Sequence, residues 1–221
     1  MGNFINFRGK KVHYNDEGRG PVVVLLHGFL GSLQIWDEFS AELSGHFRVI
    51  RCDLPGHGKT DTMGLDHSMS LMAEMVKAVL DHLGVKHCIM IGHSMGGYVA
   101  LEFAKQYENM LKGIGLFHSH ASPDTEEARE NRDRTINIVR LNRSGFIKQF
   151  IPDLFAEENI HRFSSEIAEL QFLADKTPAE GIIAALDGMK TRTGSIEFLM
   201  KTKLPVLFIA GKGDARIPLQ N

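Results

Sequence analysis

Apolar residues in this chain come either as short unbroken runs or as stripes at helical spacing, and the two alternate. Phe4 to Phe7 and Val12 to Asp16 place apolar and polar residues in turn, as a half-exposed hairpin at a sheet edge would. Val22-Val23-Val24-Leu25-Leu26 is instead a continuous aliphatic run, suited to a strand covered on both faces. The pattern then predicts a helix over Ile35 to Leu43, a strand over Phe47 to Cys52, and a helix over Leu71 to Leu83 stopped by Gly84. Cys88 to Ile91 reads as a buried strand, Tyr98 to Tyr107 as a helix, and Gly113 to Phe117 and Pro205 to Ala210 as two further strands. Repeated β-α-β order with apolar strands implies an α/β fold, a mostly parallel, doubly wound sheet covered by helices.

Between about His120 and Thr202 the strands stop. Ser122-Pro123-Asp124 has the chemistry of a helix start, and Thr177-Pro178-Ala179-Glu180 that of a capping box. Phe146, Ile147, Phe150, Ile151, Leu154 and Phe155 form one amphipathic stripe, and Phe163, Ile167, Leu170 and Leu173 another. The expected organisation is a core of residues 1–120 and 203–221 with a helical lid, 121–202, inserted in it. Such a lid would roof the site with apolar surface.

The chemistry concentrates where a predicted strand meets a predicted helix. Gly92-His93-Ser94-Met95-Gly96 fits G-x-S-x-G, a turn that holds a serine hydroxyl exposed at a strand tip as a nucleophile. The same turn puts the Met95 N–H at a helix N-terminus, where partial positive charge meets a developing oxyanion. A second donor is expected from His27-Gly28-Phe29, through the Phe29 N–H, with Gly28 letting the backbone turn. His27 itself is read as structural, bonding loop backbone groups. Asp214, in Gly211-Lys212-Gly213-Asp214 beyond the last predicted strand, lies on the same sheet edge as Ser94 and is assigned as the acid that orients the base. His118 is read as pocket lining rather than base, because nothing in the sequence places it against Asp214. His118 and His120 are expected on one strand face, and they lack a recognisable third ligand for a metal site.

Composition narrows the setting. A net charge of −2 over 221 residues gives no reason to expect nucleic acid or an anionic membrane as partner. No stretch approaches the apolar length of a membrane span, and the two cysteines, Cys52 and Cys88, read as free core thiols. The expected setting is cytoplasmic.

Together these pieces resemble the α/β-hydrolase fold family, in its lid-bearing esterase-like branch. The resemblance rests on His27-Gly28-Phe29, Asp53-Leu54-Pro55-Gly56-His57-Gly58-Lys59-Thr60, Gly92-His93-Ser94-Met95-Gly96-Gly97, and Gly211 through Asp214 with Pro218 following, in family order. It implies Ser94 as nucleophile, Asp214 as triad acid, the Phe29 and Met95 amides as oxyanion hole, and no metal or organic cofactor. It also implies a base on a histidine some tens of residues after the acid, beyond one more strand. No histidine follows Asp214 through Asn221, so the chain is expected to lack the last strand, the closing helix and the base. Removing the base of a serine triad costs roughly 10⁶-fold in turnover, so these residues alone are expected to be nearly inert. An edge bared in this way would offer a surface for self-association.

The expected substrate is a small or medium, largely apolar carboxylic ester. Thioesters, C–C bonds beside carbonyls and peracid chemistry run on the same constellation. The main alternative is a small-ligand receptor that binds without turnover on the same scaffold. Nucleotide binding through Gly58-Lys59-Thr60 is disfavoured, because Asp53 stands where a P-loop needs glycine.

Overall fold

The two alternating segments near the N-terminus pair as the pattern requires. In the computed structural model, which describes residues 2–214, 216 and 217, β1 (Asn3–Phe7) runs antiparallel to β2 (Lys10–Gly18). β3 (Val22–Leu26), β4 (Arg48–Cys52), β5 (Cys88–His93), β6 (Leu111–Phe117) and β7 (Val206–Ile209) complete a seven-stranded sheet in the order β1-β2-β4-β3-β5-β6-β7. From β4 to β7 neighbouring strands are parallel, and β2 joins β4 antiparallel.

The unbroken run in β3 has a packing cause. Val24 and Leu26 belong to one large apolar cluster, while Val23 and Leu25 meet Trp36 and Val49 on the other face. The first cluster is filled from α2 (Met69–His82) and α3 (Met95–Tyr107), and α1 (Asp37–Leu43) follows the 3-10 turn that carries Trp36. Both faces are therefore dry, and the strand has no polar position to offer. Cys52 and Cys88 are free and buried.

Four helices fill the interval between β6 and β7: α4 (Glu126–Phe150), α5 (Ser164–Ala174), α6 (Ala179–Lys190) and α7 (Ile196–Lys201). Two expected helix starts need correction. α4 begins not at Ser122-Pro123-Asp124 but after Thr125, whose hydroxyl accepts from the Ala128 N–H at 3.2 Å. The Asp124 carboxylate is held by arginine side chains and is not available to the helix. α6 starts after Pro178 as the spacing suggests, but without a side-chain cap; Thr177 is buried and its carbonyl accepts from Arg143 at 2.8 Å. α4 changes direction at Asn142, where φ is −153° and ψ is 76°. Among the described residues β7 has no partner on its outer side, and Leu207, Phe208 and Ile209 are exposed. No described helix is long and apolar enough to cross a membrane.

Candidate active site

Ser94 stands at the turn from β5 into α3 with φ 49° and ψ −114°, a left-handed backbone that an L-residue adopts only when its surroundings impose it. Three bonds do so. The Ser94 N–H donates to Phe117 O at 2.9 Å, and Ser94 O accepts from the Gly97 N–H and the Ser119 hydroxyl, each at 2.9 Å. The turn also needs its glycines: a Cβ at Gly92 would lie 2.1 Å from Gly96 O, and one at Gly96 would lie 2.5 Å from Leu26 O. The first turn of α3 is thereby pressed against the end of β3. As the first helical residue, Met95 has an N–H with no intrahelical acceptor.

The loop after β3 approaches the same point. His27 is buried, its Nδ1–H donating to Gly28 O at 2.7 Å and its Nε2 accepting from the Leu54 N–H at 2.9 Å. Burial lowers its pKa, so the ring is a neutral brace for two loops, the structural role read from the sequence. Gly28 packs on His93, where an added Cβ would come within 2.8 Å of His93 Nδ1. Phe29 lines the cavity that Ser94 faces, its ring edge-on to Phe150 at 5.6 Å.

At the same sheet edge the structure brings together two residues that the sequence did not pair. His118 Nδ1 lies 2.6 Å from Asp214 Oδ2, although nothing in the sequence places the two together. The cause is the backbone: β6 ends at Phe117, and His118 has φ 46°, which turns its ring out of strand register toward the loop after β7. His118 and His120 therefore part company, His120 Nε2 lying 3.0 Å from the Tyr98 hydroxyl. Burial raises the Asp214 pKa, but the His118 bond and the N–H groups of Ile217 and Arg216 outweigh it and hold the carboxyl below its ordinary value. Both N–H groups reach Oδ1 at 2.9 Å. Pro218, counted in the motif, lies outside the described residues. Among the described residues no hydrogen bond joins the Ser94 hydroxyl to an imidazole: His118 bonds Asp214 and His120 bonds Tyr98.

Ser94, Phe29, His118 and Asp214 share one cavity of about 730 Å³. Its roof is only half apolar. Phe150, Leu154, Leu186 and Met189 contribute the expected apolar surface, but the first turns of α4 add Thr125, Asn131, Arg132 and Thr135 beside Ser122 and Asp124. This polar wall was not foreseen, because the stripe picked out in the sequence starts only at Phe146, whereas the buried face of α4 already includes Ile136 and Val139.

A second buried carboxylate explains the glycine-rich loop. Asp53 accepts from the Leu33 N–H at 2.7 Å, the Lys59 N–H at 2.8 Å and, through Oδ2, sits 2.6 Å from His13 Nδ1. Burial raises its pKa, but those bonds and the nearby His27 bring it below the ordinary value. The loop amide that a phosphate would need is already taken by Asp53, which fits a structural role for the segment.

Among known proteins, a family model described as alpha/beta hydrolase fold matches residues 21–156, more than half of the chain. A 2-hydroxy-6-oxononadienedioate/2-hydroxy-6-oxononatrienedioate hydrolase of Comamonas testosteroni is 37% identical over 98% of this chain and 78% of its own. A 2-hydroxy-6-oxo-6-phenylhexa-2,4-dienoate hydrolase of Burkholderia cepacia is 28% identical over the same shares, 98% and 78%. A thermophilic esterase from Thermogutta terrifontis, solved with malate bound, superimposes with a TM-score of 0.93 at 34% identity, over 100% of this chain and 83% of that one.

Proposed function

The chain belongs to the α/β-hydrolase fold family, and from that premise we propose that it is a serine hydrolase of small to medium carboxylic esters, working through an acyl-enzyme. The observation that carries the reading is Ser94 held at a strained turn, at a helix N-terminus, in a cavity whose wall also carries an aspartate–imidazole pair. In the proposed reaction the Ser94 hydroxyl gives its proton to a base and its oxygen bonds to the acyl carbon. The negative charge that gathers on the acyl oxygen is met by the N–H groups of Met95 and Phe29. The C–O bond to the alcohol breaks, the alcohol leaves with the proton from the base, and water releases the acid from Ser94 by the same steps reversed.

Asp214, held in its ionised form, supports the base. The imidazole it touches here is His118, whereas the resemblance expects a histidine later in the chain. A receptor that binds without turnover is the second reading, since among the described residues no hydrogen bond joins the Ser94 hydroxyl to an imidazole.

A stopped-flow measurement of p-nitrophenolate release by the full-length protein separates the two. The enzyme reading expects a burst near one equivalent per active site, followed by slower turnover. Ser94→Ala should remove the burst and lower steady turnover by at least about 10⁴-fold. Release that persists unchanged in Ser94→Ala would defeat the nucleophile assignment, and saturable binding with no release would favour the receptor.

A further inference from the structure

We propose that the α4 wall of the cavity is a carboxylate-binding subsite in which Arg132, braced by Asp124 and backed by Arg192, receives an anionic group carried on the acyl part of the substrate. Placing that group on the acyl part rests on the hydrolase reading; the subsite itself does not.

The cluster is built around an unequal charge count. Asp124 is buried and receives two guanidinium groups, Arg132 and Arg192, both in ion-pair contact. Burial raises the Asp124 pKa, but the two arginines outweigh it and keep the carboxylate ionised. One negative and two positive charges leave a surplus positive charge beside the cavity. Such a surplus is costly in a partly dry wall, and a packed apolar replacement would serve stability as well or better. An anion from outside offsets it.

The two arginines are not equivalent. Arg192 has both Nη groups engaged: besides Asp124 it donates to Met189 O at 3.0 Å and Ser122 O at 3.0 Å, and it lies 4.0 Å over the Tyr98 ring. It does not line the main cavity. Arg132 does, and its side chain is one-fifth exposed, at 20%. Nε and one Nη of Arg132 are fixed on Asp124, the second of these contacts at 3.2 Å. The other Nη reaches only the Met189 sulfur, at 3.5 Å, a weak acceptor. The remaining N–H groups have no oxygen acceptor among the described residues. Asp124 therefore orients a fork whose open side faces the cavity, and Asn131 and Thr135 on the same helix add neutral polar groups beside it.

The other charged groups that line the cavity have partners of their own. Asp214 is taken up by His118 and the loop N–H groups, and Arg216 bonds Asp153 at 3.3 Å. The lining of one cavity is thus divided between the candidate nucleophile Ser94, the cationic Arg132 and the apolar Phe29, Phe150 and Leu154. A dicarboxylic half-ester matches this division, its ester toward Ser94 and its free carboxylate toward Arg132.

The test compares two esters of one acyl skeleton: the p-nitrophenyl monoester of glutarate, and the same compound with its free carboxylate capped as a methyl ester. In the wild type the charged ester should have a kcat/KM about tenfold or more above the capped one, expressed mainly in KM. Arg132→Met should bring that ratio near one, and Arg132→Lys, which keeps charge but loses the fork, should leave an intermediate ratio. A ratio cancels any general loss of folded protein. Separately, glutarate should raise the Tm of Ser94→Ala protein, and the added Arg132→Met change should abolish that shift. Equal ratios in wild type and Arg132→Met, or a glutarate shift indifferent to Arg132, would overturn the subsite while leaving the hydrolase reading intact. Glutarate binding through Arg132 with neither ester turned over would do the reverse.

Discussion

Single residues carry the chemistry here, and His118 poses the sharpest question among them. Its Nδ1 holds Asp214 at 2.6 Å, and among the described residues no hydrogen bond joins its ring to the Ser94 hydroxyl. That geometry describes a positioning residue, one that fixes the acid for a base placed elsewhere. His118→Asn should accordingly lower kcat by about tenfold or less and leave KM nearly unchanged, with its main effect on the acidic limb of the kcat–pH profile, where Asp214 loses a partner that favours its ionised form. A loss of 10⁴-fold or more, the scale of deleting a triad base, would make His118 the base itself. Ser94, Phe29 and Asp214 were legible in the sequence because each sits in a short motif at a strand end, where local geometry dictates what the residue can do. The His118–Asp214 pair was not, because 96 residues separate its members and only a left-handed turn at His118 joins them. The cluster of Asp124, Arg132 and Arg192 was missed too: Arg132 lies only eight residues on, but no local spacing reveals that Arg192, 68 residues away, will share the same carboxylate.

Among elements, the junction of β3, β5 and α3 positions everything else. At Gly96, where α3 meets β3, a Cβ would fall 2.5 Å from Leu26 O and 2.7 Å from His27 O, both backbone atoms that cannot rotate away. Gly96→Ala should therefore displace the start of α3 from the end of β3, costing about 1–3 kcal/mol of stability. It should also separate the Met95 and Phe29 amides, so activity should fall further than stability alone accounts for. Gly213→Ala is the matched control, since a Cβ there meets nothing within 4 Å, and its effect should stay within about 0.5 kcal/mol. Urea midpoints and initial rates on the two variants test both statements; similar losses in both would show that the packing argument is wrong. The strands themselves were readable to within a residue or two, because a buried parallel strand must be apolar on both faces. Helix starts were less so. Ser122-Pro123-Asp124 has good capping chemistry, but the ion pairs of Asp124 take precedence over the cap it could supply, and α4 begins three residues later at Thr125.

At the scale of the whole molecule, the sheet and its helices bury several histidines in neutral form, and this sets how the fold responds to acid. Burial is the main cause in each case: it lowers His57 to about 3, with the nearby His27 adding to the effect, and His67, His93 and His120 to about 4. Nε2 of His57 has no hydrogen-bond partner among the described residues, and Nε2 of His67 already accepts from the Met63 N–H, so a proton added to either would gain no acceptor. In the unfolded chain the same rings titrate near 6.5. Between about pH 6.5 and 4 the unfolded state therefore binds protons that the folded state refuses, and stability falls as the pH drops through that range. The loss at pH 5 is on the order of 1–2 kcal/mol for each fully buried ring, and less for His120, which keeps more contact with solvent. Asp66, raised by desolvation, works against this trend, whereas the three strongly bonded carboxylates do not blur it. Asp53, Asp124 and Asp214 all sit below their ordinary values, so the stability they add is present above an unfolded value near 3.9 and is lost only at lower pH. Urea unfolding at pH 7.5 and pH 5 should thus show a midpoint markedly lower at pH 5. His67→Gln should shallow that dependence, since an amide oxygen replaces Nε2 as acceptor for the Met63 N–H, now bonded at 2.9 Å, without the titration. Midpoints that coincide at the two pH values would mean that these rings accept protons in the folded state, and that the interior around them is wetter than their burial implies.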